Sequence, residues 1–328
     1  MSPATPVLEV RDLHVTYQTD EEPIPAVRGV SLSLHAGEIV ALVGESASGK
    51  STVGHSILGL LPGSATSHGD VFFRGTTIAS MDTEELRRVR GREVSVIFQD
   101  ALSALTPTMR VGEQMAEPFR IHLGMGHGEA MQAARTALAR VLPDVDRVVD
   151  SYPFQLSGGM AQRVMIAMAT SLEPSVIIAD EPTANLDPAV RQDTLMQLER
   201  LRDGGAAILL ITHDFGVVAR LADRVSVMYA GALVEEADVR TTFRAPKHPY
   251  TFGLLGSLPT LTGGRLTPMR GHPPDLATLP PECPFLPRCN KAVGRCRQEP
   301  APGLAPVKDS VPGHRVACFN PMAVPLRD

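Results

Sequence analysis

Apolar residues along this chain fall into short alternating runs, short continuous runs and longer stretches of helical spacing. Leu8-Glu9-Val10-Arg11-Asp12-Leu13-His14-Val15-Thr16-Tyr17 alternates, as does Val27 to Leu34, and each predicts a half-buried strand. The polar, proline-bearing segment Gln18 to Pro25 predicts the loop between them. Continuous apolar runs at Glu38 to Val43, Ser175 to Asp180 and Ala206 to Ile211 predict strands buried on both faces. Val71 to Arg74 and Val94 to Phe98 are further strand candidates, and Val225 to Tyr229 with Ala232 to Glu236 predicts a hairpin turning at Gly231. Helical spacing appears at Thr52 to Leu61, stopped by Pro62-Gly63, at Met160 to Ser171 and at Pro188 to Arg202. Between Val111 and Val149 a helix-rich stretch is broken by Gly124, Gly126 and Gly128. Buried strands alternating with helices predict an α/β fold with a parallel sheet covered on both sides.

Composition narrows the class. The chain has 328 residues, 43% of them hydrophobic, enough for one large or two modest domains. A net charge of −5 argues against a nucleic-acid binder driven by bulk electrostatics. Arg87, Arg88, Arg90 and Arg92 cluster, and a solvated helix face accounts for them. No run of about 18 apolar residues is present, and Met1 to Pro6 lacks the regions of a signal peptide, so a cytoplasmic chain is expected. Half of the 28 prolines lie from Pro259 onward, with all four cysteines. A larger body to about residue 240 and a proline-rich extension over 241–328 are therefore expected.

Chemistry concentrates first at Gly44-Glu45-Ser46-Ala47-Ser48-Gly49-Lys50-Ser51, which fits the phosphate-binding pattern G-x-x-x-x-G-K-[ST] without a mismatch. It follows a predicted strand and opens a predicted helix beginning with Thr52. That order aims free helix N–H groups and the positive dipole end at phosphates. Lys50 adds a mobile positive charge and the Ser51 hydroxyl can reach Mg²⁺. At the end of the predicted strand Val176 to Asp180, two carboxylates emerge at Asp180 and Glu181, where open α/β sheets place ligands. Asp180 suits Mg²⁺, and Glu181 suits a general base for attack on a γ-phosphate.

Leu156-Ser157-Gly158-Gly159-Met160, together with the phosphate loop, resembles the signature loop of ATP-binding cassette (ABC) ATPases. The resemblance implies further roles in family order. Gln99 matches the Q-loop glutamine that reaches Mg²⁺, Asn185-Leu186-Asp187 the D-loop, His213 the switch histidine at the γ-phosphate, and Tyr17 the aromatic on adenine. It also implies the family fold: a mixed sheet core, an antiparallel β subdomain and a helical subdomain at about 100–172. In that family the signature loop grips ATP held by a partner, so a second ATPase subunit, identical or related, is implied. Met160 stands where glutamine is usual, and Ala47 where glycine is common.

The chain is most similar to ATPase subunits of bacterial dipeptide/oligopeptide importers. Gln162 to Ala169, Asp100 to Pro107, Lys247-His248-Pro249-Tyr250-Thr251 and Leu254 to Pro259 carry that likeness. It implies two membrane permeases, an external peptide-binding protein, a peripheral place on the cytoplasmic membrane face and no nucleic-acid partner. A nickel importer ATPase and a soluble ABC ATPase are the alternatives. In the extension, Cys283, Cys289, Cys296 and Cys318 are separated by 5, 6 and 21 residues. Spacing leaves Zn²⁺, an iron–sulfur cluster and inert thiols open. The family resemblance favours a [4Fe–4S] cluster.

Overall fold

A computed structural model describes residues 5–184, 186–258, 269–308 and 310–324. Asn185 of the expected D-loop and Pro259 lie outside the described residues. In chain order, β1 (Leu8–Tyr17), β2 (Ile24–Leu34) and β3 (Ile39–Val43) precede α1 (Lys50–Ile57). β4 (Ala65–Phe73) and β5 (Thr76–Thr77) lead to α2 (Thr83–Arg88), β6 (Val94–Ile97) and α3 (Ala101–Ala104). α4 (Val111–Leu123), α5 (His127–Ala139), α6 (Val145–Asp150) and α7 (Gly158–Thr170) follow. Then come β7 (Val176–Asp180), α8 (Pro188–Asp203), β8 (Ala207–Ile211), α9 (Phe215–Leu221), β9 (Arg224–Tyr229) and β10 (Ala232–Asp238). The last elements are α10 (Val239–Arg244), α11 (Pro249–Gly256), α12 (Arg295–Gln298), β11 (Ala305–Pro306) and β12 (Arg315–Val316).

The chain divides into two compact units. The first comprises the described residues within 1–9, 33–39 and 71–211. In it β6, β7 and β8 run parallel, in register Val94↔Val176 and Val176↔Ala207. All five residues of β7 and of β8 are buried, as continuous apolar runs require. Helices α4 to α7 belong wholly to this unit, and Val111, Met115, Ala134, Leu138, Val164 and Ile166 form its helical core.

The second unit comprises the described residues within 10–32, 40–70 and 212–328. β3 pairs in parallel with β9, β9 antiparallel with β10, and β10 with β12. The β9–β10 hairpin turns on Ala230 and Gly231, both at positive φ (47° and 81°), the requirement of a two-residue hairpin turn whose twist matches its strands.

Two of the sequence expectations are corrected for identifiable reasons. α1 stops at Ile57, before Pro62, because Gly59 takes φ 63° and closes a Schellman cap. Leu60 N–H donates to His55 O (2.9 Å) and Gly59 N–H to Ser56 O (3.0 Å). The arginine cluster is not one helix face. α2 carries Arg87 and Arg88 only, and non-helical backbone at Arg90 and Gly91 throws Arg90 and Arg92 beyond it.

Candidate active site

In the second unit, the phosphate-loop motif connects β3 to α1, the expected strand–loop–helix order. Both outer glycines are enforced by backbone. A Cβ on Gly44 would sit 2.2 Å from Met228 O, and one on Gly49 2.2 Å from Ala26 O. Lys50 Nζ donates to Gly44 O (2.9 Å), Glu45 O (2.8 Å) and Ser48 Oγ (3.3 Å), so the cation lies against the loop. No side chain caps the N-terminus of α1, an arrangement suited to an anion. Ala47 takes φ 60°, the left-handed region in which an L side chain costs about 1–2 kcal/mol. Its departure from glycine is thus not conformationally neutral.

Tyr17 is half-buried, and its hydroxyl hydrogen-bonds the Thr52 hydroxyl (3.2 Å), which ties the expected adenine-stacking ring to the start of α1. His213 is exposed, just after Thr212, whose N–H donates to Leu42 O at the end of β3 (3.2 Å). Asp214 caps α9 by accepting from Gly216 N–H (2.8 Å) and Val217 N–H (3.2 Å).

In the first unit, buried Asp180 ends β7 and half-buried Glu181 follows it. Glu181 takes φ 46°, with its N–H on Ile211 O (2.8 Å) and its carbonyl accepting from Ala184 N–H (3.0 Å). A φ of this sign is uncommon for a glutamate and is held here by the two main-chain hydrogen bonds. Gln99 is exposed at the end of β6. The segment after it is organised by Asp100, which caps α3, and by buried Gln114. Gln114 accepts from Thr106 N–H (2.8 Å) and donates to Thr106 O and Met109 O (2.9 Å each).

The Ser157 hydroxyl caps α7, accepting from Met160 N–H (3.3 Å), so the helix begins at Gly158 and not at Met160. Ser157 and Gly158 are exposed, while Leu156 is buried and anchors the turn. A Cβ on Gly159 would lie 3.3 Å from Val190 and 3.8 Å from the Asp187 carboxylate, which itself caps α8. Gln162 Nε2 donates to Pro182 O (2.9 Å), tying α7 to the turn after Glu181. Gln114 was not singled out from sequence, nor was the tie that Gln162 makes; a glutamine on an otherwise apolar helix face was the available sign.

The four cysteines gather in the second unit around one small cavity, with His248, Phe285 and Lys291. It has about 20 Å³ of room for a water centre, the space of a single water. Burial pushes the Cys283 and Cys289 thiols up, and that of Cys318 up to about 11. Among the described residues, no group of three or more His, Cys, Asp or Glu is placed to hold a metal ion. The four soft thiol donors expected to hold zinc or an iron–sulfur cluster thus line one cavity without being drawn into a ligand set. Among the described residues no helix is long and apolar enough to cross a membrane.

His248 is buried against this cavity. Its Nδ1 accepts from Tyr250 N–H (3.1 Å), and the His248 backbone N–H donates to Glu235 Oε2 (2.8 Å). Desolvation pushes its pKa down to about 4. The unfolded chain takes up this proton below about pH 6.5, and the folded chain only near 4. The associated stability is complete above 6.5 and declines as pH falls to 4, by about 3 kcal/mol. We predict that His248→Asn, whose amide oxygen can replace Nδ1, loses less stability than wild type between pH 7.5 and 4.5 in denaturant titrations.

Two family models match the chain: ABC transporter over residues 27–184, and oligopeptide/dipeptide transporter, C-terminal region, over 234–296. The oligopeptide transport ATP-binding protein OppD of Salmonella typhimurium is 42% identical over 324 residues, covering 98% of this chain and 95% of that protein. OppD of Mycobacterium tuberculosis is 44% identical over 323 residues, 96% of this chain, and the chain spans about half (52%) of that relative. A solved dimeric post-hydrolysis state of the ATP-binding cassette MJ0796, bound to ADP and Pi, aligns with TM-score 0.63 and 29% identity over 71% of this chain and 98% of that one. The second model begins within β10 and takes in three of the four cysteines, so both the motif-bearing body and the cysteine-bearing extension have counterparts. The chain belongs to the ABC transporter ATP-binding family, in its oligopeptide/dipeptide branch.

Proposed function

We propose that this chain is the ATP-hydrolysing subunit of an ABC importer for dipeptides or oligopeptides. The observation that carries the reading is the phosphate loop, in which backbone carbonyls exclude side chains at Gly44 and Gly49 while Lys50 lies against the loop. MgATP is the substrate. Gly44, Glu45, Ser46, Ser48, Gly49, Lys50, Ser51 and Thr52 bind its phosphates, and Lys50 exchanges loop carbonyls for phosphate oxygens. Tyr17 stacks on adenine. Ser51, Gln99 and Asp180 hold Mg²⁺, Glu181 takes the proton of the attacking water, and His213 steadies the γ-phosphate. Leu156 to Met160 and Asp187 serve the nucleotide of a second ATPase subunit, as the dimeric, ADP-bound relative suggests.

The permease partners dock near Gln99 and Asp100 to Pro107, where Leu102 is 40% exposed, as is Phe154 at 72% before the signature loop. The protein, so read, sits peripherally on the cytoplasmic face, with an external peptide-binding protein completing the assembly. On this reading residues 1–240 form the ATPase domain, with its helical part at about 100–172, and 241–328 the extension. The test is reconstitution with the companion permeases in vesicles. ATP-dependent uptake of peptides is expected; uptake of nickel in its place overturns the substrate class.

We further propose that the four cysteines take a [4Fe–4S] cluster. The support is their shared cavity and all-thiol donor set; expansion of that cavity is implied. When bound, the cluster cross-links a segment poor in apolar core. Equimolar iron and sulfide with visible absorption are expected after anaerobic purification. Stoichiometric zinc without iron overturns the assignment.

A further inference from the structure

One contact reaches the phosphate loop from 243 positions away. Arg288, in the cysteine-bearing extension, donates through Nη1 to Glu45 Oε2 (2.7 Å) and through Nη2 to Glu45 Oε1 (2.9 Å). The fork is held from behind. Its Nε donates to Arg270 O (3.0 Å), and the Tyr229 hydroxyl lies 3.4 Å from Nη1. Arg288 itself sits on a tight turn in which Leu286 N–H donates to Cys283 O (2.9 Å) and Arg288 N–H to Phe285 O (3.0 Å). Its side chain is only 4% exposed. A planar bidentate pair of this kind fixes orientation as well as charge.

Glu45 is more than an anchor point. Its carbonyl accepts from Lys50 Nζ (2.8 Å) and from Ser48 N–H (3.3 Å). Its N–H donates to the hydroxyl of Tyr250 (2.8 Å), a ring with no exposed surface that packs on Tyr229 and Phe285. Displacing Glu45 therefore displaces the lysine that meets the phosphates. Charge acts in the same direction. The Glu45 carboxylate stands in a loop built for a polyanion, and Arg288 is the cation that neutralises it.

We infer that Arg288, with Tyr250, is a positioning residue for nucleotide binding, through which the C-terminal extension fixes Glu45 and cancels its charge beside the phosphates. This rests on the phosphate loop being the MgATP site. The experiment measures MgATP affinity of the purified full chain and steady-state hydrolysis with the companion subunits. R288Q is expected to weaken MgATP binding about tenfold, equal to about 1.4 kcal/mol. KM rises in step, and kcat at saturating ATP stays within about twofold. R288K keeps the charge but not the fork, and is expected to fall between wild type and R288Q. In the cycle completed by E45Q, the double variant E45Q/R288Q recovers most of the affinity, because no carboxylate is left to repel the phosphates.

A merely structural contact gives another pattern: both single variants melt earlier, MgATP affinity at low temperature is unchanged, and the double variant is no better than R288Q. That pattern overturns the inference. Should wild type bind no MgATP, the reading of the loop itself fails, and the inference with it.

Discussion

Glu181→Gln is expected to abolish steady-state ATP hydrolysis and to leave MgATP bound. Glutamine matches glutamate in shape and in the backbone contacts that define the position: the N–H on Ile211 O and the turn closed on Ala184 N–H belong to the main chain. The strained φ of 46° is borne equally by either side chain. What changes is the capacity to accept a proton from water, and general-base catalysis by a positioned side chain is worth about 10²–10⁴-fold. Turnover is expected to fall by about 10³-fold in single-turnover assays. ATP-bound dimers should persist on gel filtration in ATP, because the step that reopens them is missing. A variant whose turnover stays within about tenfold of wild type removes Glu181 from the role of base. Asp187→Ala separates signature-loop support from chemistry: it removes the α8 cap, worth about 1 kcal/mol, without touching a proton-transfer group.

How much of this was legible in the sequence depended on whether the information is local. The phosphate loop, the carboxylates at the end of β7 and the Ser157 cap are contiguous patterns, and the structure forms each on the expected element. β7 and β8 were readable because strands buried on both faces are continuously apolar. The end of α1 was misplaced because Pro62-Gly63 is the louder stop, whereas Gly59 acts through a positive φ that composition does not display. The strain at Ala47 was equally hidden, since the motif leaves that position free. Thiols at gaps of 5, 6 and 21 residues could be seen to belong together, but how closely they converge is a three-dimensional property. The Arg288–Glu45 pair had no signature at all: a lone arginine in a proline-rich tail is ordinary until the fold brings it to the loop.

Gly49→Ala is expected to cost both stability and nucleotide binding. The added methyl would lie 2.2 Å from Ala26 O and 2.9 Å from the Met228 methyl group, at φ 97°. The methionine end can swing aside, but the carbonyl is fixed within β2. The variant must either move β2 or abandon the left-handed conformation, and the latter turns Lys50 away from the Gly44 and Glu45 carbonyls. Left-handed strain contributes about 1–2 kcal/mol and the clash adds to it, so a total near 4 kcal/mol is expected, at the upper end for a single substitution. MgATP affinity should fall by at least about a hundredfold, or roughly 2.7 kcal/mol, in the fraction that folds. Gly63→Ala is the matched control. Nothing lies within 4 Å of the methyl it would add, so its melting temperature and MgATP affinity should match wild type. If the two variants behave alike, backbone crowding is not what forces glycine at position 49, and the phosphate loop owes its shape to something other than the carbonyl behind it.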